Sequence, residues 1–264
     1  MHSCMLSTEH PPLVDTSVLV TRPAHQAEEF CRMIEAEGGT AIRFPVIEVA
    51  PASDKAMIEQ RLQDLSRYNI AIFISANAVK HALACGFSDQ SEGLKIAAVG
   101  NKTAASLRAH GIAVSILPKS GFNTEALLAL PLLQCVADKR IAIIRGVGGR
   151  ETLAQTLTDR GAQVDYIEVY QRHLPKQRLV DVIDYQNCDI IAVTSQEGLR
   201  NLITLCDDKA WLFTTALACN SQRTAKLAEE LGFRRDIVTS LEPGDEAMKA
   251  AIVNWRRGTN ELRQ

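Results

Sequence analysis

VLVTRPAHQAEEFCRMIEAEGG, residues 18–39, returns 123 positions later as IAIIRGVGGRETLAQTLTDRGA, residues 141–162. Both stretches open on a short aliphatic run, turn through an arginine (Arg22, Arg145), continue with apolar residues at helical spacing and stop at glycine. In the first, Ala27, Phe30, Cys31 and Ile34 stand at i, i+3, i+4 and i+7, one face of a helix. Gly38-Gly39 supplies the positive φ at which helices commonly end. The second carries Leu153 and Leu157 and stops at Gly161.

The echo extends further along the chain. ISANAV aligns with TSQEGL, setting Ser75 against Ser195 at an offset of 120. VGNKTA aligns with CNSQRTA, setting Thr103-Ala104 against Thr224-Ala225 at 121, and Glu125-Ala126 returns as Glu246-Ala247 at the same offset. Four segments thus recur in one order at nearly one spacing. That period is far longer than the roughly 20–50 residues of solenoid repeats, so two domain-sized copies are expected. Two similar lobes make a cleft of the kind in which ligands bind.

Between these segments lie further strand–helix pairs. Strands are expected at residues 18–20, 41–44, 70–74, 96–99 and 114–117, and again at 141–144, 163–167, 190–193, 212–217 and 237–238. Helices carry Val79, Ala82 and Leu83, then Ala104 and Leu107, then Ala126, Leu127 and Leu130. Strands alternating with helices predict an α/β protein of parallel sheets flanked by helices, with five strands in each lobe. Pro45 and Pro51 bracket VIEVA, and IEV recurs at 167–169 just before Tyr170; both stretches read as connectors. The spacing allows either a simple tandem cut near residue 123 or an interleaved cut that joins the first strand–helix pair to the last three.

Composition narrows the function. At 264 residues, 46% hydrophobic and 23% charged, the chain suits two globular domains. A net charge of −2 without basic runs argues against bulk attraction to nucleic acid or anionic membrane. No apolar run approaches a transmembrane span, and the first 15 residues read as a loose tail rather than a secretory signal. Seven scattered cysteines without a CxxC pair predict neither a disulfide framework nor a zinc site, and a reducing, cytoplasmic setting. His25, His81 and His110 fall amid polar helix residues and read as solvated surface. No metal or cofactor is expected.

Chemistry in such sheets gathers in loops beyond the strands' carboxyl ends, where helix N-termini offer backbone N–H groups to anions. Here those loops are rich in small polar residues. The candidate substrate-binding set is Arg22, Ser75, Asn77, Lys102, Thr103, Arg145, Gly148, Gly149, Arg150, Thr194, Ser195, Gln196, Gly198, Ser221, Arg223 and Thr224. Taken singly, Ser75, Thr103, Thr194 and Thr224 also read as helix N-caps; taken together they suit a polyanion. RGVGGRE is neither GxGxxG nor a Walker loop, which argues against a nucleotide. Arg22 and Arg145, at equivalent turns, are either structural or carboxylate clamps. Tyr170 is the catalytic candidate, although a tyrosine ending an apolar stretch more commonly packs its ring and leaves its hydroxyl at the rim.

VLVTRP, FPVIEV, SANAV, AVGNKTA, RGVGGRETLAQTL, EVYQR, TSQEGL, SQRTA and PGDEAM together resemble the uroporphyrinogen-III synthase family, over residues 18–252. Ile74 departs from a threonine common there. The resemblance implies the interleaved cut, with residues 15–44 and 174–264 in one lobe and 52–165 in the other. Residues 45–51 and 166–173 become a two-stranded β connector. It implies cyclisation of hydroxymethylbilane, an octacarboxylate linear tetrapyrrole, with inversion of ring D. Tyr170 would help the hydroxyl depart, and no cofactor is needed. A monomer with at most transient contact to the enzyme supplying the bilane is expected. Two alternatives stand beside this: a two-lobed sensor of small carboxylates, and, less supported by the motifs, a nucleotide-dependent transferase.

Overall fold

The structure is a computed structural model. It describes residues 11–88, 93–184, 187–242 and 244–261, the side chains of 260 and 261 excepted. Cys4, the start of the expected tail and Pro243 lie outside the described residues. In chain order the elements are β1 (Ser17–Val20), α1 (Ala24–Ala36), β2 (Thr40–Arg43), β3 (Glu48–Pro51), α2 (Lys55–Gln63), β4 (Ile70–Phe73), α3 (Ala76–Ala84), β5 (Lys95–Ala98), α4 (Asn101–Ala109), α5 (Thr124–Leu128) and α6 (Pro131–Gln134). They continue with β6 (Arg140–Gly146), α7 (Thr152–Asp159), β7 (Gln163–His173), β8 (Ile190–Val193), α8 (Gln196–Leu205), α9 (Lys209–Thr214), β9 (Ala216–Cys219), α10 (Gln222–Leu231), β10 (Ile237–Thr239) and α11 (Asp245–Glu261).

Among the described residues the strands form two five-stranded sheets, ordered β10-β9-β8-β1-β2 and β3-β7-β6-β4-β5. The chain divides into two compact units, Met1–Glu48 with His173–Gln264, and Val49–Arg172. Each sheet therefore mixes the two sequence copies. The strand registers repeat with the sequence. Val18 pairs Ala41 and Ile190 in the first sheet, and Ile141 pairs Val164 and Ile70 in the second, in parallel. These are the same pairings carried along by the offsets of 123 and 120. Short strands buried on both faces explain their unbroken aliphatic runs.

The helices form where the apolar spacing placed them. Ala27, Phe30, Cys31 and Ile34 are the buried face of α1, and Gly38 ends it at φ +83°. Three expectations need correction. Residues 114–117 form no strand; a single bridge, Ala97 to Ile116, stands where β9 and β10 pair in the other sheet. Residues 212–214 belong to α9, whose Asp208 cap accepts the Trp211 N–H at 2.9 Å, and β9 begins only at Ala216. The expected tail is ordered from Pro11 onward: Leu13 is fully buried against α1 and donates its amide to Glu37 O.

Leu157 of α7 is fully buried in the core of the second unit, whereas Leu174 is 46% exposed. Leu157→Ala should cost about 2–5 kcal/mol through lost burial and a cavity, and Leu174→Ala less than about 0.5 kcal/mol. Thermal melts of the two variants check the contrast.

Candidate active site

Ligand-binding loops cluster where strand order reverses. In the second sheet the chain leaves β4 for β5, returns past β4 to β6 and proceeds to β7, so the reversal lies between β4 and β6. A cavity of about 310 Å³ opens there. Ile74, Val99, Arg145, Gly148, Gly149, Arg150, Tyr166, Tyr170 and Arg172 are among its lining.

Tyr170 reaches the cavity from β7 with its side chain 1% exposed, so its ring is part of the core rather than a rim residue. Three contacts hold it. Its hydroxyl lies 3.3 Å from Ser75 Oγ. The His81 ring stacks on it at 5.6 Å and 28°, which corrects the reading of His81 as solvated surface. The Arg172 guanidinium sits 5.9 Å above the ring. A fourth neighbour is Gly146, whose register against β7 shifts so that it stands opposite Tyr170. A Cβ there would lie 2.6 Å from two ring atoms, so only glycine lets the tyrosine in.

The turn after β6 is held by Arg145, which is 2% exposed. A buried guanidinium must be paired, and this one faces Glu151 Oε1 at 3.2 Å and Glu168 Oε1 at 3.9 Å while lying 4.4 Å over the Tyr166 ring. Glu168 also accepts the Gly148 N–H at 3.1 Å. Gly148 and Gly149 adopt φ of +73° and +104°, the left-handed region that glycine enters without strain. Tyr166 donates a short hydrogen bond to Glu151. Burial, reinforced by that contact, pushes the Tyr166 hydroxyl up to about 12, and the same bond, helped by Arg145, holds the Glu151 carboxyl below its usual range. Arg150 is exposed and pairs loosely with Glu125 at 3.6 Å.

Ser75 caps α3, accepting the Ala78 N–H at 3.1 Å, and Asn77 lies in that helix's first turn. α4 begins at Gly100, which offers no side-chain cap, so its first amides have no side-chain acceptor there. Lys102 is exposed in that turn, and Thr103 is buried beside it.

In the first unit the reversal lies between β1 and β8. Arg22 meets Asp245 Oδ1 at 2.5 Å and covers the Phe30 ring at 5.4 Å. Ser195 caps α8 through Gly198 N at 2.9 Å, with Thr194 half-buried just ahead of it. Ser221 caps α10 through Thr224 N at 3.3 Å, and Gln196 Nε2 donates to the Arg223 carbonyl at 3.1 Å. Arg223 is exposed. Thus Ser75, Ser195 and Ser221 are caps, whereas Thr103, Thr194 and Thr224 are not, contrary to the capping alternative.

Tyr166 and Arg172 line the cavity and Glu168 braces its turn, and all three stand outside the expected set. With Tyr170 they alternate along β7, a period-2 set that marks one face of a strand, and this was the available signal. Glu151 and His81 carry no such signal. Gly146→Ala should force the Tyr170 ring aside, destabilising the protein by about 1–3 kcal/mol, as overpacking does. A lowered melting temperature with altered near-ultraviolet circular dichroism checks this.

A family model described as uroporphyrinogen-III synthase HemD matches residues 28–249. A uroporphyrinogen-III synthase of Escherichia coli is 32% identical over 245 residues, covering 89% of this chain and 99% of the relative. One from Salmonella typhimurium is 33% identical over 248 residues, with the same coverages. The fold is that of the solved uroporphyrinogen-III synthetase of Helicobacter pylori, at 15% identity and a TM-score of 0.62 over 91% of this chain and 99% of that one. The chain belongs to the uroporphyrinogen-III synthase family.

Proposed function

We propose that this chain closes hydroxymethylbilane to uroporphyrinogen III, with Tyr170 as the proton donor to the departing hydroxyl. Family membership over most of the chain carries the reaction. The sensor alternative has no support. Tyr170 gives its proton to the leaving hydroxyl, the C–O bond breaks, and water departs from an azafulvene cation. The substituted α-carbon of ring D attacks that cation to give a spiro intermediate. One bond of the spiro carbon then breaks, and the freed end recloses through the other α-carbon of ring D. Loss of the proton from that carbon restores the pyrrole and returns a proton to the phenolate, so the cycle balances.

The azafulvene is reactive unaided, and free bilane closes to the uninverted type I isomer. What the protein contributes is orientation. In this reading the uncapped amides of α4, the Gly148-Gly149 turn, Lys102 and Arg150 hold substrate carboxylates in the second unit, where Asn77 and Thr103 shape the helix starts; in the first unit Arg223 is the candidate for that role, with Thr194, Ser195, Gln196, Gly198, Ser221 and Thr224 shaping its turns. Arg22 and Arg145 hold the turns through Asp245, Glu151 and Glu168. We read the lobes as 15–44 with 174–264, and 52–165, with 45–51 and 166–173 as the connector strands.

No helix among the described residues is long and apolar enough to cross a membrane, and the six described cysteines form no disulfide with one another. Both support placing the enzyme in the cytoplasm. We read it there as a monomer that meets its supplier of bilane only transiently.

Supplying hydroxymethylbilane and separating the isomers after oxidation should give the type III product in excess over an enzyme-free control. Type I product alone, matching the control, would overturn the reading. Tyr170→Phe should keep its melting temperature and lose about a hundredfold in turnover, within the range for one general acid. An unchanged initial rate of type III formation would remove Tyr170 as donor.

A further inference from the structure

Ser75 Oγ accepts the Ala78 N–H as the cap of α3, and it is also the single described hydrogen-bond partner of the Tyr170 hydroxyl. A serine hydroxyl has one proton to give and two sites at which to accept. If the phenol donated to Ser75, its proton would be turned away from a substrate. If Ser75 donates, the phenol proton is left for the cavity that Tyr170 lines. Accepting an amide bond polarises Ser75 toward the second arrangement, because hydrogen bonds in a chain strengthen one another. The α3 N-terminus beside it favours negative charge.

We propose that Ser75 is a positioning residue for Tyr170 rather than a substrate ligand: it donates to the phenol oxygen, frees the phenol proton for the leaving hydroxyl and steadies the phenolate left behind. The inference rests on Tyr170 being the proton donor. His81 stacks on the ring from α3 and Arg172 lies over it from β7, while Arg145 is next to Gly146 on β6. The second copy serves as an internal comparison. Ser195 caps α8 in the same manner and has no tyrosine among its described partners, so capping alone does not require the contact.

The test measures kcat, KM and melting temperature for Ser75→Ala, Ser75→Asp and Ser75→Thr, each with Tyr170 intact and as Tyr170→Phe. Aspartate keeps the cap but has no proton to donate at neutral pH; threonine keeps both. Alanine and aspartate should each lower kcat by about tenfold, the size of one lost hydrogen bond. KM should stay near wild type for alanine, the melting temperature should hold for aspartate, and threonine should recover most of the turnover. In the Tyr170→Phe background, Ser75→Ala should bring no further loss.

Unchanged kcat for alanine and aspartate would overturn the inference. So would an equal loss in the Tyr170→Phe background, or a raised KM at constant kcat, which would make Ser75 a substrate ligand. A fully active Tyr170→Phe removes the donor and the inference together. A slow Tyr170→Phe beside an unaffected Ser75→Ala removes the inference alone.

Discussion

The pairing of β1 with β8, Val18 beside Ile190, is the interaction on which the first unit depends. Val18, Leu19 and Val20 are fully buried, and backbone groups of such a strand must be satisfied by neighbours on both sides. β2, the next strand after α1, supplies one side; the other comes from a strand 172 positions away. The cost of closing so long a loop grows only slowly with its length, so the interleaving is thermodynamically tolerable. β4 and β6 make the corresponding pair in the second unit, with Ile70 beside Ile141.

The pairing of β4 with β6 also places the cavity. Because each sheet is built outward from the joint between the two copies, strand order reverses at that joint, and the arginine-bearing turn meets the serine-capped helix there. The two copies keep this frame and differ in what fills it. Arg22 finds its carboxylate on α11, Arg145 on its own turn and on β7. Equivalent arginines hold equivalent turns through unrelated partners. A buried cation needs a carboxylate but not one from any particular element.

The cluster at Arg145 also sets two tyrosines of β7 in different surroundings. Tyr166 is pushed up to about 12, mainly by burial and further by Glu151, and so keeps its proton as part of the scaffold. Tyr170, packed against Gly146 and stacked by His81, presents its hydroxyl to Ser75 at the cavity. A ring fixed on three sides has little rotational freedom left to lose, which suits orientation catalysis.

The sequence by itself determined the α/β class, the duplication, the buried faces of α1 and α7, and the glycine-rich turn after β6 that borders the cavity, because each is written in local periodicity, glycine placement or internal echo. Local signals failed where partners were remote. Residues 212–214 look like a strand by β-branching and aromatic content, but the Asp208 cap makes them helix. Residues 114–117 have strand composition and find one bridge. Only the tertiary structure decided that Arg145 is spent on Glu151 and Glu168, that His81 stacks on Tyr170, and that Gly146 admits its ring. Those facts depend on the register of β6 against β7 and on α3 lying beside both, and residues distant in the chain reveal no such contact until the strands are paired.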